Sequence, residues 1–226
     1  MFMGESRNFT GRVVLVTGSN SGIGEGIVKL FAILGANVVV TGRNVTRINN
    51  VVNECRKISP QSLEPLGIAA DLTKSDELAN LIDSTIKHFG KLNVLVNNAG
   101  QFLPLTKISS DNLLAVHDQI FAINLRAIVE LIHRSVPHLK RTRGSIINTA
   151  SISGIIPSMP HHAYSPTKAG VITLTKALGL ELGPMGIRIN SISPGVTQSR
   201  NMPAEFLTHV IEFTPVGRPE NTNDKF

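Results

Sequence analysis

The sequence predicts an α/β fold built on one doubly wound parallel sheet. Three observations support this prediction. Short apolar runs such as residues 13–16 alternate with segments of helical periodicity, a glycine-rich turn follows the first run, and 226 residues suit one domain. Continuous apolar runs are typical of strands that helices cover on both faces. We therefore expect a single domain over residues 1–226 with six parallel strands.

The first strand, turn and helix predict a phosphate-binding site. Residues 12–17 form the apolar run, Gly18 to Gly24 form the turn, and residues 25–34 have helical periodicity up to Gly35. Glycines let the backbone turn tightly and approach a pyrophosphate, whose charge meets the amides of the helix N-terminus. Glycine-rich turns are common, and it is the position between a strand and a helix that favours a dinucleotide here.

The end of the second apolar run, residues 37–41, bears on the kind of dinucleotide. NAD-binding units carry an acidic residue near this point for the ribose hydroxyls, whereas this chain has Gly42, Arg43 and Asn44. A guanidinium there would pair with a 2′-phosphate, so we expect NADP(H) to be preferred over NAD(H). The alternative is that Arg43 is a solvated residue at a strand end.

The rest of the chain continues the alternation of strands and helices. We expect strands at 66–70, 94–96, 144–150 and 187–192, and helices at 45–57, 75–89, 109–133 and 165–182. Ser75 would cap one helix and Gly90 would end it, and Pro137 would follow the end of the helix over 109–133. Residues 198–214 are interpreted as a flap with one short helix.

Two polar positions stand out among the apolar segments. Asn98 to Gly100 follow the fourth strand, where amide and small side chains suit either a close approach to a flat ligand or only a tight connection. Asn124 lies inside an apolar helical run. A buried amide requires fixed hydrogen bonds, which predicts a specific role, and the alternative places it on the solvent side of the helix.

An acid/base device is predicted around the only tyrosine of the chain. Lys168 follows Tyr164 by four residues, and Ser151 precedes Tyr164 at the end of the fifth strand. Positions i and i+4 share a helix face, so an ammonium group would lower the phenol pKa. With Ser165 as cap and Pro166 as first residue, the helix dipole would act in the same direction. This spacing also occurs by chance in many helices.

Taken together, the motifs are specific. TGSNSGIG at residues 17–24, NNAG at 97–100, Asn124, Ser151 and the pair Tyr164 and Lys168 occur in an order and spacing that closely resemble the short-chain dehydrogenase/reductase family. The resemblance extends over about residues 12–218. It implies a single-domain Rossmann fold and an oxidoreductase that interconverts a ketone or aldehyde and an alcohol.

The resemblance also implies a role for each motif residue. Tyr164 would protonate the carbonyl oxygen or act as base in the reverse direction, and Ser151 would orient the carbonyl. Lys168 would hold the nicotinamide ribose and lower the tyrosine pKa. Asn124 would anchor a water in a proton relay through Lys168.

Further residues are expected to contact the cofactor or the substrate. The cofactor set is Gly18, Ser19, Ser21, Gly22, Ile23 and Gly24 at the pyrophosphate, Arg43 and Asn44, Asp71 and Leu72 at the adenine, Asn98, Ala99 and Gly100 along the channel, Tyr164 and Lys168, and Pro194, Gly195, Val196, Thr197 and Ser199 at the carboxamide. The substrate set is Ser151, Tyr164 and Gln101, with Phe102, Ser153, Ile155 and Met202 facing the pocket. Their mixed character leaves acyl thioesters, steroids, sugars and small carbonyls open.

Composition and charge limit which other kinds of partner we expect. The formal charge of +6 is scattered except at residues 140–143, and with 4% aromatic residues a solvated loop is expected there rather than a nucleic-acid site. No apolar run is long enough to cross a membrane, and the N-terminus lacks a signal-peptide core. The lone Cys55 fits a cytoplasmic protein. His161 and His162 are expected on the surface, and no metal site is expected.

The C-terminus raises a separate expectation. Relatives of this kind usually continue with a helix and a seventh strand, whereas this sequence stops at Phe226, so we expect a bare sheet edge.

Subunits are expected to form a homodimer or homotetramer through the helices that begin near Ser109 and Ser165. The main alternative to an enzyme is a catalytically silent dinucleotide-binding relative that serves as a redox sensor or assembly partner, and nucleic-acid binding is a third reading.

Overall fold

The computed structural model describes residues 8–60, 62–156, 162–198 and 220–221, and their main feature is one six-stranded parallel sheet. The spatial order of the strands is β3-β2-β1-β4-β5-β6. Their bounds are β1 (Val13–Val16), β2 (Asn37–Gly42), β3 (Leu66–Ala69), β4 (Val94–Asn97), β5 (Ser145–Thr149) and β6 (Arg188–Ile192). The predicted doubly wound α/β fold is confirmed.

Within the described ranges, six α-helices cover the sheet, three to five turns long in most cases. They are α1 (Gly22–Ile33), α2 (Val45–Ile58), α3 (Ser75–Phe89), α4 (Leu113–Phe121), α5 (Ala127–Thr142) and α6 (Tyr164–Leu182). Alternate residues of β1 point to opposite faces, so Leu15 packs in one core with α3, α5 and α6. Val14 and Val16 pack in the other core with α1 and α2.

The strand order reverses next to β1. From β1 the chain runs outward through β2 and β3, then crosses back to place β4 on the other side of β1. The connections that leave β1 and β4 therefore diverge, and they open a crevice beyond the carboxyl ends of these two strands. In open parallel sheets, ligands bind at such a switch point.

The helix predicted over 109–133 is a different structure. α4 begins at Leu113, a wider π-helical turn spans Ala122–Arg126, and α5 then continues to Thr142 with Pro137 inside it. Proline removes the bond to the carbonyl of His133. Both Pro137 and His133 are exposed, so water can replace that bond, and the helix does not have to end there.

Two helix starts also differ from the prediction. α6 begins at Tyr164 with Ala163 before it, so Pro166 is the third helical residue, where its missing amide has no intrahelical partner to lose. α3 is preceded by Lys74, which provides no side-chain cap, and the Ser75 hydroxyl binds Glu130 of α5 instead. Gly90 ends α3 in the left-handed conformation, as predicted.

A short second sheet lies outside the main one. β7 (Thr197–Gln198) pairs in parallel with β8 (Glu220–Asn221). From residue 199 onward the predicted flap lies outside the described residues, as do His161, Ser199 and Met202. Within the described part of the chain, no helix has the length and apolarity that crossing a bilayer would need.

Candidate active site

Two adjoining clefts open at the carboxyl ends of the strands. The larger, about 410 Å³, lies between the turn after β1, the end of β2 and the end of β4. The smaller, about 160 Å³, lies between the ends of β4 and β5 and the start of α6. Asn98 and Gly100 line both clefts, so the clefts meet at the end of β4.

Most of the predicted site residues line one cleft or the other. Those of the larger cleft are Gly18, Ser21, Arg43, Asn44, Leu72, Asn98, Ala99 and Gly100. Those of the smaller cleft are Ile23, Asn98, Gly100, Gln101, Ser151, Tyr164, Lys168, Pro194 and Gly195. Ser19, Gly22, Gly24, Asp71, Asn124, Val196 and Thr197 line neither.

The glycine turn is shaped by close backbone packing. Gly18 and Gly22 have φ values of +63° and +58°, a conformation that glycine adopts without strain. A Cβ atom at Gly24 would lie 2.5 Å from the Gly18 carbonyl oxygen and would also collide with the Asn98 amide. Gly24 therefore brings α1 close to the turn and to the end of β4, although it does not line a cleft.

Ser19 holds the turn together instead of facing the cleft. Its side chain is buried, its hydroxyl donates to the Val16 carbonyl (2.7 Å), and it accepts the Thr41 amide (2.9 Å). The turn after β1 is thereby fixed to the end of β2. The Ser19 side chain thus positions the turn, and the contact of Ser19 with the cofactor stays a prediction.

Two arginines stand at the open end of the larger cleft. Arg43 follows β2 and Arg47 lies in the first turn of α2, whose N-cap Asn44 accepts the Arg47 amide (2.9 Å). Both arginines are exposed and line the cleft. The sequence analysis missed Arg47, although its spacing of four residues from Arg43 was a usable signal. It also missed Asn20, whose side chain packs against Gly42 at the same cleft.

Asp71 faces away from the cleft. Its carboxylate accepts the Thr73 amide (3.0 Å) and the Thr73 hydroxyl (2.8 Å). These bonds, together with the nearby charge of Arg43, lower the pKa of Asp71. The adjacent Leu72 lines the cleft with Ala70, so this segment offers an apolar wall.

The segment after β4 joins the two clefts. Asn98 is anchored to Thr17, because its backbone amide donates to Thr17 Oγ1 (2.9 Å) and its Nδ2 donates to the Thr17 carbonyl (3.0 Å). A Cβ atom at Gly100 would lie 3.1 Å from Asn124 Oδ1 and 3.4 Å from Lys168 Nζ. Gly100 is thus packed directly over two of the predicted catalytic residues.

Asn124 is completely buried in the π-helical turn. Its Oδ1 accepts the Gln101 amide (2.8 Å), and its Nδ2 donates to the Gln101 carbonyl (2.8 Å) and to Thr167 Oγ1 (3.3 Å). π-helical turns are often found at functional sites. Here the wider turn places an amide where it fixes both the loop after β4 and helix α6.

Ser151 and Tyr164 face each other across the smaller cleft. The Ser151 hydroxyl accepts the Ser153 amide (3.1 Å) and is also hydrogen-bonded to the Tyr164 side chain. Burial raises the pKa of Tyr164, and the hydrogen bond from Ser151 opposes that shift. Both side chains line the cleft.

Lys168 lies one turn after Tyr164, with Nζ 5.6 Å from the centroid of the tyrosine ring. Nζ donates to the Thr149 carbonyl (2.8 Å), and the residue is 3% exposed. Burial lowers the pKa of Lys168 to about 8. The pKa of Tyr164 is raised because burial outweighs the hydrogen bond with Ser151, and the lowering of this pKa by Lys168 stays a prediction.

Gly154 was not identified from the sequence. A Cβ atom at this position would lie 2.7 Å from both the carbonyl carbon of Lys168 and the Ala169 nitrogen. The segment that carries Ser151 is therefore packed against the backbone of α6. This contact sets the separation between Ser151 and the first turn of α6, which carries Tyr164.

The loops on the far side of the smaller cleft are also tied down. The Pro194 carbonyl accepts the Ile152 amide (3.0 Å), which links the residues after β6 to those after β5. His162 Nε2 lies 2.6 Å from the Thr106 carbonyl oxygen, so it carries a proton and donates.

Among the described residues, no group of three or more His, Cys, Asp or Glu side chains could hold a metal ion.

Comparison with known proteins adds independent findings. The profile of a family described as short chain dehydrogenase matches residues 12–208. An uncharacterised oxidoreductase of Staphylococcus epidermidis is 34% identical over 189 residues, which cover 83% of this chain and 79% of that protein. Tropinone reductase-like 3 of Erythroxylum coca is 34% identical over 202 residues, which cover 89% and 75%.

A solved structure agrees with these sequence matches. The 3-ketoacyl-(acyl-carrier-protein) reductase from Brucella melitensis, crystallised with NADH, superposes on this chain with a TM-score of 0.85 at 28% identity. The match covers 96% of this chain and 88% of that one.

Proposed function

The chain belongs to the short-chain dehydrogenase/reductase family, and we propose that it is an NADP(H)-dependent member that interconverts a ketone or aldehyde and an alcohol, with Tyr164 as acid/base. Members of this family are oxidoreductases that act on CH–OH groups with NAD(P)(H). One observation carries the proposal. Ser151, Tyr164 and Lys168 line a single small cleft that opens into the larger one at Gly100.

The larger cleft has the chemistry that a phosphorylated dinucleotide requires. Arg43 and Arg47 lie at its open end, and within the described part of the chain neither forms an ion pair. Gly18 and Ser21 line the cleft at the N-terminus of α1, where backbone amides favour phosphate. Leu72 and Ala70 provide an apolar wall for the adenine. When bound, the nicotinamide supplies or accepts the hydride.

The residues of the smaller cleft would handle the proton. In the reduction direction the Tyr164 hydroxyl transfers its proton to the carbonyl oxygen as that oxygen gains negative charge. The Ser151 hydroxyl donates a hydrogen bond to the same oxygen and stabilises the developing charge. In the reverse direction the tyrosinate removes the proton from the alcohol.

Lys168 and Asn124 would restore the proton and maintain the geometry. With a pKa of about 8, the Lys168 ammonium can release a proton near neutral pH, so it can reprotonate Tyr164 through a relay. Asn124 hydrogen-bonds Gln101, which lines the cleft, and Thr167, which lies in α6. We propose that it keeps the groups of the relay at fixed positions.

The preference for NADP(H) is proposed from charge alone. The 2′-phosphate distinguishes NADP(H) from NAD(H), and planar guanidinium groups bind phosphate oxygens in a bidentate manner. Arg43 precedes the N-cap of α2 and Arg47 lies in the first turn of that helix, so the positive end of the helix dipole acts in the same direction as their charges. The nearby carboxylate of Asp71 accepts two hydrogen bonds from Thr73.

Self-association is proposed through the outer faces of α4, α5 and α6. Leu114 on α4 and Val129 on α5 are 74% and 45% exposed. Large apolar side chains that are exposed in one subunit are typical of surfaces that become buried when subunits associate. Light scattering would distinguish the expected dimer or tetramer from a monomer. A cytoplasmic location and the absence of nucleic-acid and membrane partners remain predictions.

The decisive experiment measures carbonyl-dependent consumption of NADPH by the protein and its Tyr164→Phe variant. The variant keeps the ring and loses only the hydroxyl, so we expect turnover to fall by about 10²–10⁴-fold while NADPH affinity stays within about twofold. Unchanged turnover would refute the role of Tyr164. NADPH binding without turnover of any carbonyl or alcohol would favour a catalytically silent binding protein instead.

A further inference from the structure

We propose that the substrate is a neutral compound with an apolar group, which binds against a rim of exposed aliphatic side chains beside Tyr164. The rim consists of Leu103, Leu105, Ile108, Ile152, Ile155 and Ile156. The inference rests on the proposed function and narrows the substrate classes that the sequence leaves open.

The rim is a local concentration of exposed apolar surface. Among the described residues, fifteen large apolar side chains are more than a third exposed, and six of them lie in two short segments, 101–108 and 151–156. Ile108 and Ile156 are 76% and 67% exposed. Soluble proteins rarely leave such side chains clustered, and clusters of this kind mark binding sites.

Both segments border the catalytic cleft. Residues 101–108 reach Tyr164 through Phe102, whose ring makes an edge-to-face contact with the tyrosine ring at a centroid distance of 6.4 Å. Residues 151–156 begin with Ser151, which hydrogen-bonds the Tyr164 hydroxyl. Both segments therefore begin at residues that line the cleft in which the carbonyl group would be held, and the rim residues follow these within a few positions.

The first segment is held at both ends, so its exposed side chains are not those of a loose loop. The backbone of Gln101 is fixed by two hydrogen bonds with Asn124, one donated by the Gln101 amide and one accepted by its carbonyl. At the other end, His162 Nε2 donates to the Thr106 carbonyl (2.6 Å) and lies 3.2 Å from Thr106 Oγ1. His162 is two residues before Tyr164, so this bond anchors the segment beside the acid/base residue.

The charges in the described lining of the smaller cleft do not favour ionic recognition of the substrate. None of the residues described as lining the smaller cleft is acidic, so a cationic substrate finds no partner there. Lys168 is the one cation in that lining, and its Nζ is directed to the Thr149 carbonyl. The exposed Lys107 lies next to Ile108 of the rim. Its charge would instead favour an anionic substrate, which is the alternative that the experiments test.

The test compares straight-chain methyl ketones of increasing length with a ketose of similar size, using NADPH consumption. Each methylene that enters an apolar site should raise kcat/KM by about fourfold until the rim is filled. The ketose should be turned over at least about tenfold less efficiently than the longest ketone. A ketose that is turned over more efficiently, or a kcat/KM that does not change with chain length, would overturn the proposal.

Variants assign the effect to the rim. We expect Leu105→Ser and Ile155→Ser to reduce the gain in kcat/KM per methylene, and the matched surface change Ile33→Ser at the end of α1 to leave it unchanged. Lys107→Ala should also leave the ketone selectivity unchanged. Two results would overturn the proposal. They are a loss of ketone selectivity in the Lys107 variant, and a change of oligomeric state in the rim variants without loss of selectivity.

Equilibrium binding separates this inference from the proposed function. The same ketones are titrated into the Tyr164→Phe variant with NADPH present, and affinity is measured by calorimetry. Affinity that rises with chain length supports the rim, even if the wild-type protein turns over none of the ketones and the proposed function fails. Affinity independent of chain length contradicts the rim, even if turnover is observed.

Discussion

The hydroxyl of Ser151 is held between the Ser153 amide, from which it accepts, and the Tyr164 side chain, to which it is hydrogen-bonded. The bond to Ser153 holds the serine hydroxyl beside the phenol. Burial alone would disfavour the tyrosinate, and this hydrogen bond offsets part of that penalty. The protein thus tunes its predicted proton donor with a neutral neighbour.

Titration of Tyr164 measures this effect directly. Because Tyr164 is the only tyrosine and the chain has no tryptophan, the tyrosinate absorbance band reports a single group. Without added dinucleotide, the Tyr164 pKa should lie above the 10.0 of a free tyrosine, and Ser151→Ala should raise it further. Ser151→Thr keeps the hydroxyl and should restore the wild-type value. A lower pKa in the alanine variant would contradict the assigned hydrogen bond.

Lys168 should make stability depend on pH. Burial lowers its pKa from 10.5 to about 8, so between these values the unfolded chain holds more protons on this residue than the folded protein. Its contribution to folding stability therefore rises with pH across this window and is least favourable below pH 8. Relative to Lys168→Met, the wild-type free energy of unfolding should increase by about 3 kcal/mol from pH 8 to 10.5.

Urea unfolding without dinucleotide at several pH values checks this expectation. Lys176→Met changes an exposed lysine of the same helix and serves as the control, because its stability difference from wild type should stay flat with pH. If the Lys168 difference is equally flat, the ammonium is not desolvated in the folded protein.

Two glycines of α1 should respond in opposite ways to alanine. A Cβ atom at Gly24 would collide with the Asn98 amide and with the Gly18 carbonyl, whereas at Gly26 nothing lies within 4 Å. We expect Gly26→Ala to stabilise the protein by up to about 1 kcal/mol through helix propensity. Gly24→Ala should lower the thermal midpoint and weaken dinucleotide binding. Equal effects of the two changes on the midpoint would contradict the packing of the turn.

Cofactor choice should depend on both arginines of the larger cleft. Arg43→Ala and Arg47→Ala should each raise the Kd for NADPH by about tenfold, the effect of losing roughly 1.4 kcal/mol, and leave NADH within about twofold. Arg56→Ala, on the exposed side of α2 and paired with Glu64, is the matched control. Equal weakening of both dinucleotides would remove the basis for an NADP(H) preference.

Local patterns were sufficient for the six strands of the main sheet, for four of the six helices (α1, α2, α3 and α6) in outline and for the left-handed stop at Gly90. They failed at Pro137, which lies within α5 because it and His133 are both exposed, so water can bind the carbonyl left unpaired. They did not indicate the packing of Ser19 and Gly154, whose partners Thr41 and Lys168 are distant in the sequence. No periodicity indicates which side of a turn a hydroxyl will face.

The amino-acid sequence alone determined the class of the fold and the family and supplied the candidate catalytic residues, because apolar periodicity and motif spacing are properties of the chain itself. Only the tertiary structure decided that Tyr164 has a raised pKa, that Lys168 is largely shielded from water and that Arg47 joins Arg43. Desolvation and the approach of distant charges depend on how remote segments pack, and no single stretch of residues encodes them.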